Sequence, residues 1–142
     1  MGGRKQYDDS TPPESRHDHW GVVLDAPDPE TLAQFYAELL DWRIVQSEPD
    51  WIVTAPPAGV ATLAVQRSPT YERPIWPNAP GKQQQMLHLD IEVEDLEAAV
   101  RHATELGAEP ATFQPLTHGR VMLDPVGHPF CLYVVQAPEP SP

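Results

Sequence analysis

Two stretches of this chain repeat one pattern. The run Trp20-Gly21-Val22-Val23-Leu24 leads into Asp28 and then a segment with apolar residues at Leu32, Phe35, Tyr36, Leu39 and Leu40. Later, Leu87-His88-Leu89-Asp90-Ile91-Glu92-Val93 leads into Asp95 and a segment with Leu96, Ala99, Val100, Ala103 and Leu106. Several short strand-like runs follow each. An internal repeat constrains a fold more than any single motif, because each unit must bury a face it cannot bury alone.

The first helix is predicted to start at Asp28, which can cap the free N–H groups of the first turn. Pro29 follows where its missing donor costs nothing, and Glu30 adds favourable charge. Apolar residues at helical spacing mark one buried face. Asp41 follows in place of the usual glycine cap. The second helix is predicted from about Asp95 to Gly107, a residue suited to a left-handed cap. Its polar face shows Glu94, Glu97, Arg101 and Glu105.

Strands are expected at Trp42–Gln46, Trp51–Ala55 and Ala61–Arg67 after helix one. After helix two they are expected at Glu109–Gln114, Gly119–Leu123 and Phe130–Gln136, with a turn at Asp124-Pro125-Val126-Gly127. Each half therefore reads β-α-β-β-β. The fold class expected is α+β, with two tandem βαβββ units curling into a cup-shaped mixed sheet and the helices outside. The inner wall of such a cup is a natural ligand pocket.

At 142 residues one domain is expected, long enough to hold a core without disulfide or metal. The expected boundaries are a disordered arm at 1–17, a single domain at 18–137 and a disordered tail at 138–142. Within the domain, unit one spans 18–67, a proline-rich connection 68–85 and unit two 86–137. Half of the 18 prolines lie in the tails and the connection, and they punctuate the chain without arguing against a folded domain. The one cysteine, Cys131, forbids an intrachain disulfide and suits a reducing compartment. No run approaches the ~20 apolar residues of a membrane span, and the N-terminus lacks a signal peptide's apolar core. A cytoplasmic protein is expected. The net charge of −12 argues against nucleic acid and would suit a cationic guest, although a solvated acidic surface is the more ordinary explanation.

The ordered set Asp28, Phe35-Tyr36, His88-Leu89-Asp90, Asp95-Leu96, Leu106-Gly107-Ala108 and Asp124-Pro125-Val126-Gly127-His128-Pro129-Phe130 resembles the vicinal oxygen chelate superfamily. More narrowly, residues 19–136 look like the glyoxalase-like domains near glyoxalase I, extradiol dioxygenases and bleomycin resistance proteins. The resemblance implies a divalent metal held by residues on the first and last strands of each unit, mostly His and Glu. Those four places fall on Gly21, Gln66, His88 and Cys131. It also implies self-association as a homodimer.

A catalytic metal of this kind needs about three good protein ligands. Gly21 offers none and Gln66 is a weak neutral donor, so the expectation is no metal cofactor. If one is held, His88 would hold it with Cys131, Gln66 or His19. His19 shares Gly21's side of the strand if the strand reaches that far; otherwise it belongs to the solvated segment Arg16-His17-Asp18-His19. By alternation His88, Asp90 and Glu92 face the cup, and His88 with Asp90 are the candidate catalytic pair, either as hydrogen-bond partners or as a general base. Cys131 reads as a small buried residue, or as a reactive thiolate if Arg120 or a protonated His88 lies beside it. Trp51, Trp76 and Tyr133 are candidate walls for a planar or cationic ligand, or core packing in the case of Trp51 and Tyr133. Trp76, in Pro74-Ile75-Trp76-Pro77, is the candidate lid. Two functions follow: a binder of a small organic molecule without the full metal ligand set, and a metal-dependent lyase-, isomerase- or dioxygenase-type enzyme.

Overall fold

The structure, a computed structural model, describes residues 10–12 and 19–136. Most of the expected arm and all of the expected tail lie outside the described residues. The chain divides into two compact units, between Tyr71 and Glu72.

Unit one runs β1 (Trp20–Ala26), α1 (Pro29–Leu40), β2 (Arg43–Glu48), β3 (Trp51–Ala55) and β4 (Ala61–Arg67). Unit two runs β5 (Leu89–Glu92), α2 (Leu96–Glu105), β6 (Glu109–Pro110), β7 (Gly119–Leu123) and β8 (Pro129–Tyr133). The sheets have the same strand order, β1-β4-β3-β2 and β5-β8-β7-β6. In each, first and last strands pair in parallel and the other pairs are antiparallel. The fold is thus α+β, built from tandem βαβββ units, each with a four-stranded mixed sheet.

Both helices begin as their sequences dictate. The Asp28 carboxylate accepts from the Glu30 N–H at 3.2 Å and from the Thr31 hydroxyl at 2.7 Å. Asp95 caps α2 by accepting from the Ala98 N–H at 3.0 Å. At the far end of α1, Asp41 takes the left-handed conformation itself, with φ of 55°. Aspartate tolerates that region better than most residues with a side chain. Gly107 does the same after α2, with φ of 114°.

Each helix packs on one face of its sheet. In unit one the helix side carries Leu24, Ile52, Leu63 and Val65, all buried, together with Phe35 and Tyr36 from α1. Those two rings meet edge to face, 4.9 Å apart. In unit two the buried layer is Phe130, Leu132 and Met122, with Ala103 from α2.

Three strands are shorter than the sequence suggests, and proline explains one of them. The strand expected over Glu109–Gln114 ends at Pro110, although the Ala111 N–H still donates to Val121 O at 2.9 Å. The Gln114 side chain then stands in for the backbone. It donates to Val121 O and accepts from the Val121 N–H, each at 2.8 Å. The strand expected over Leu87–Val93 begins at Leu89. The parallel register sets Leu89 against Phe130, so His88 would face Pro129, which lacks a donor. The last strand stops at Tyr133 instead of Gln136, although the Val134 N–H still reaches His118 O at 3.0 Å. The strand after α1 is offset by one or two residues, at Arg43–Glu48, with an irregularity between Ile44 and Gln46.

The connection is folded. Ile75 N–H donates to Gln83 O at 2.9 Å, closing a loop on itself.

Candidate functional site

With one face of each sheet covered by its helix, chemistry is left to the other face. Alternation along β5 leaves Leu89 and Ile91 half-buried and Asp90 and Glu92 exposed. The register places Asp90 beside Cys131 and Glu92 beside Tyr133. His88 sits two residues before Asp90, just outside the strand, and its Nε2 lies 3.2 Å from Asp90 Oδ1. One ligand atom each from His88, Asp90 and Cys131 lie within 4.8 Å of one another. The predicted catalytic pair is therefore in contact, and Cys131 joins it.

The electrostatics of this cluster are acidic. Cys131 is half-buried, and its thiol is pushed up to about 11 by burial, by the Asp90 charge and by a hydrogen bond to Asp90. Arg120 does not relieve it: the register pairs Arg120 with Leu132, while Cys131 pairs with Val121. Neighbouring residues on a strand point to opposite faces, so Arg120 lies across the sheet from the thiol. Its guanidinium instead donates to Gly119 O at 2.7 Å. Alone, Cys131 is a protonated donor and not a nucleophile.

Among the described residues, unit one carries no equivalent cluster. Aligning the caps Asp28 and Asp95 sets Val23 against Asp90 and, through the two registers, Ala64 against Cys131. The fourth place implied by the resemblance thus moves two residues from Gln66, whose counterpart is Tyr133. Gln66 Nε2 donates to Asp25 Oδ1 at 2.6 Å, on the adjacent strand. Trp51, half-buried, lies beside Gln66 on one side and Glu48 on the other. Gly21 presents no side chain, and a Cβ there would sit 2.3 Å from the Thr62 hydroxyl. A four-ligand metal set spanning both units does not fit these residues, since Gly21 and Ala64 supply no donor atom. His19 immediately precedes β1, is exposed and belongs to unit one, whereas the donor cluster is drawn wholly from unit two.

Trp76 is seated on unit two's own loop. Its indole N–H donates to Phe113 O at 3.2 Å, and the two rings lie 6.4 Å apart. Close by in sequence, Arg73 lies over Gly127, where a Cβ would meet its side chain at 2.4 Å. Gly127 has φ of 97° in the Asp124-Pro125-Val126-Gly127 turn. The buried Asp124 carboxylate accepts from Val126 and His128 N–H groups, both at 3.0 Å. The motif's aspartate and glycine therefore build a turn. What sequence reasoning missed here is Gln114, a polar residue in an expected strand whose signal was only its position after Pro110.

Among the described residues, no helix is long and apolar enough to cross a membrane.

Comparisons with known proteins agree with this topology. A crystal structure of a glyoxalase/bleomycin resistance protein/dioxygenase family enzyme from Burkholderia phytofirmans PsJN superposes with TM-score 0.61 at 14% identity, covering 82% of this chain and 97% of that one. A glyoxalase/bleomycin resistance protein from Albidiferax ferrireducens T118 gives 0.57 at 15%, covering 82% and 97%. A glyoxalase family protein from Enterococcus faecalis gives 0.53 at 23%, covering 83% and 95%. At these identities the likeness is one of fold. No curated protein matches the chain. The family model for the glyoxalase-like domain matches residues 21–133, nearly the whole of both units. The chain belongs to the glyoxalase-like domain family, within the vicinal oxygen chelate superfamily.

Proposed function

We propose that this protein binds a small organic molecule on the open face of its sheet in unit two, without the family's full two-unit metal ligand set. The observation that supports this is the polar and aromatic face formed by His88, Asp90, Cys131 and Tyr133, opposite a face sealed by Phe130, Leu132 and Met122. The side chains of His88 and Asp90 are 44% and 60% exposed, so both are within reach of a guest. Asp90 and Glu92 supply negative charge, and Tyr133 supplies an aromatic wall. Unit one's open face has its own aromatic and acidic patch in Trp51, Gln66 and Glu48. Together with the net charge of −12, these features favour a cationic aromatic guest, held by carboxylate attraction and ring contact. His88 would fix the guest's orientation by hydrogen bonding, with Asp90 setting its tautomer. We place the protein in the cytoplasm and expect it to act as a homodimer.

A thermal-shift panel of cationic aromatics against neutral metabolites tests the reading, followed by calorimetry on any compound that stabilises the protein. Cations should raise the melting temperature, and Asp90→Asn should cut their affinity. If every cation leaves the melting curve in place, the cationic-guest reading fails.

The second reading is a metal-dependent lyase-, isomerase- or dioxygenase-type enzyme. The mixed donor cluster of His88, Asp90 and Cys131 is the observation in its favour.

A further inference from the structure

The donor sets of the two units differ in kind. In unit one the corresponding positions hold Gly21, Val23 and Ala64, none of which can ligate a metal. In unit two they hold an imidazole, a carboxylate and a thiol, with ligand atoms within 4.8 Å of one another. We propose that His88, Asp90 and Cys131 form a zinc-class metal site contained within one sheet, with Asp90 as a ligand and no contribution from unit one.

Three features carry this. First, the cluster is built by backbone geometry: Asp90 and Cys131 are register partners on adjacent parallel strands, and His88 shares Asp90's face. Ligand spacing set by a sheet ladder needs little rearrangement to close on an ion. Second, the donor types are selective. A thiolate with an imidazole favours zinc over magnesium or calcium, which want oxygen donors. Third, three protein ligands with further positions free is the pattern of a zinc site open to an external ligand. Cys131 is half-buried at the floor while His88 and Asp90 are exposed at the rim, so an ion has a path in. Binding would displace the thiol proton now shared with Asp90, as metal binding to cysteine does generally. This inference stands apart from the organic-ligand reading, because its test uses the metal alone.

The full chain, stripped with chelator and dialysed, is titrated with Zn²⁺ against a chromophoric competitor and separately with Co²⁺. We expect one equivalent of either ion per chain and a thiolate-to-Co²⁺ charge-transfer band. Cys131→Ser should abolish that band. His88→Ala and Asp90→Asn should each weaken Zn²⁺ binding by more than about tenfold, since the first removes a donor and the second leaves a weak neutral one in place of a carboxylate. His19→Ala should leave the affinity unchanged, and excess Mg²⁺ should not compete. In the unmutated protein Zn²⁺ should protect Cys131 from alkylation, a readout that needs no variant to fold. Absence of stoichiometric Zn²⁺, a Co²⁺ spectrum without the sulfur band, or Zn²⁺ affinity indifferent to Asp90→Asn would each overturn the proposal. So would loss of binding in His19→Ala, which would move the site toward unit one.

Discussion

Unit one and unit two share strand order, helix position and capping residue, yet they pack their cores in opposite ways. Aligned by their caps, Tyr36 of α1 corresponds to Ala103 of α2, and Leu63 of β4 corresponds to Phe130 of β8. All four are buried. Unit one puts its bulk on the helix, and unit two puts it on the sheet. The space between helix and sheet must be filled either way, so volume is conserved while its source is exchanged. The faces turned away from the helices are less constrained, although Ala64 and Val121 are buried there too. There unit one carries Gly21, Val23 and Ala64 where unit two carries His88, Asp90 and Cys131. The comparison teaches that the packed side limits divergence and the open side permits it.

The largest test of this comparison is in the cores. Tyr36→Ala and Phe130→Ala should each cost about 3–5 kcal/mol, measured by denaturant unfolding. Adding Leu63→Phe to Tyr36→Ala should recover part of the loss by giving unit one the packing of unit two. Recovery of nothing would break the idea that bulk is exchangeable between helix and sheet.

The caps come next. Asp28→Ala and Asp95→Ala should each destabilise by about 1 kcal/mol in the same assay. A clear inequality would show that the units differ in how much their stability depends on helix starts.

A smaller effect separates the helix ends. Asp41→Gly should stabilise by about 1 kcal/mol or less, since glycine takes the left-handed conformation without a Cβ penalty. A fall in melting temperature would mean that the Asp41 side chain contributes more than its conformation costs.

The smallest effect on stability at neutral pH is that of Cys131, which shows only in alkali and has no counterpart in unit one. Its thiol titrates at about 11 in the folded protein, above its ordinary 9.0, because burial and Asp90 disfavour the thiolate. Between those values the unfolded chain releases a proton that the folded chain keeps, so stability falls as pH rises through that window. Alkylation of the native protein should accordingly be slow at neutral pH and accelerate well above pH 9. Asp90→Asn should bring the acceleration to lower pH, though not all the way, because burial is the larger cause. An unchanged profile in Asp90→Asn would remove Asp90 from the account.

How far sequence reached depended on the kind of information a residue carries. Asp28 with Pro29, and Asp95, announce helix starts through local chemistry, and both cap as expected. Trp51–Ala55, Ala61–Arg67 and Gly119–Leu123 are strands with the predicted bounds. Alternation assigned His88 and Asp90 to one face correctly. Register is another matter, because it is decided between strands. Nothing local says that Asp90 meets Cys131, that Ala64 and not Gln66 corresponds to Cys131, or that Arg120 falls on the far side of the sheet from the thiol. The late start of β5 follows from Pro129, whose missing donor matters only once its partner is known. Trp76 resting on Phe113 depends on a contact between segments far apart in sequence, which periodicity cannot supply.

Gln114 has a consequence for how this molecule meets others. Past Pro110, where the Ala111 N–H makes the last backbone bond to Val121 O, a side-chain amide takes the Val121 N–H and shares its carbonyl, acting as a peptide unit turned on its side. The rim of the sheet in unit two is thereby closed by the chain's own substitute for a strand. An incoming strand from another molecule finds the Val121 donor and acceptor already taken, which guards the rim against the edge-to-edge pairing that leads to aggregation.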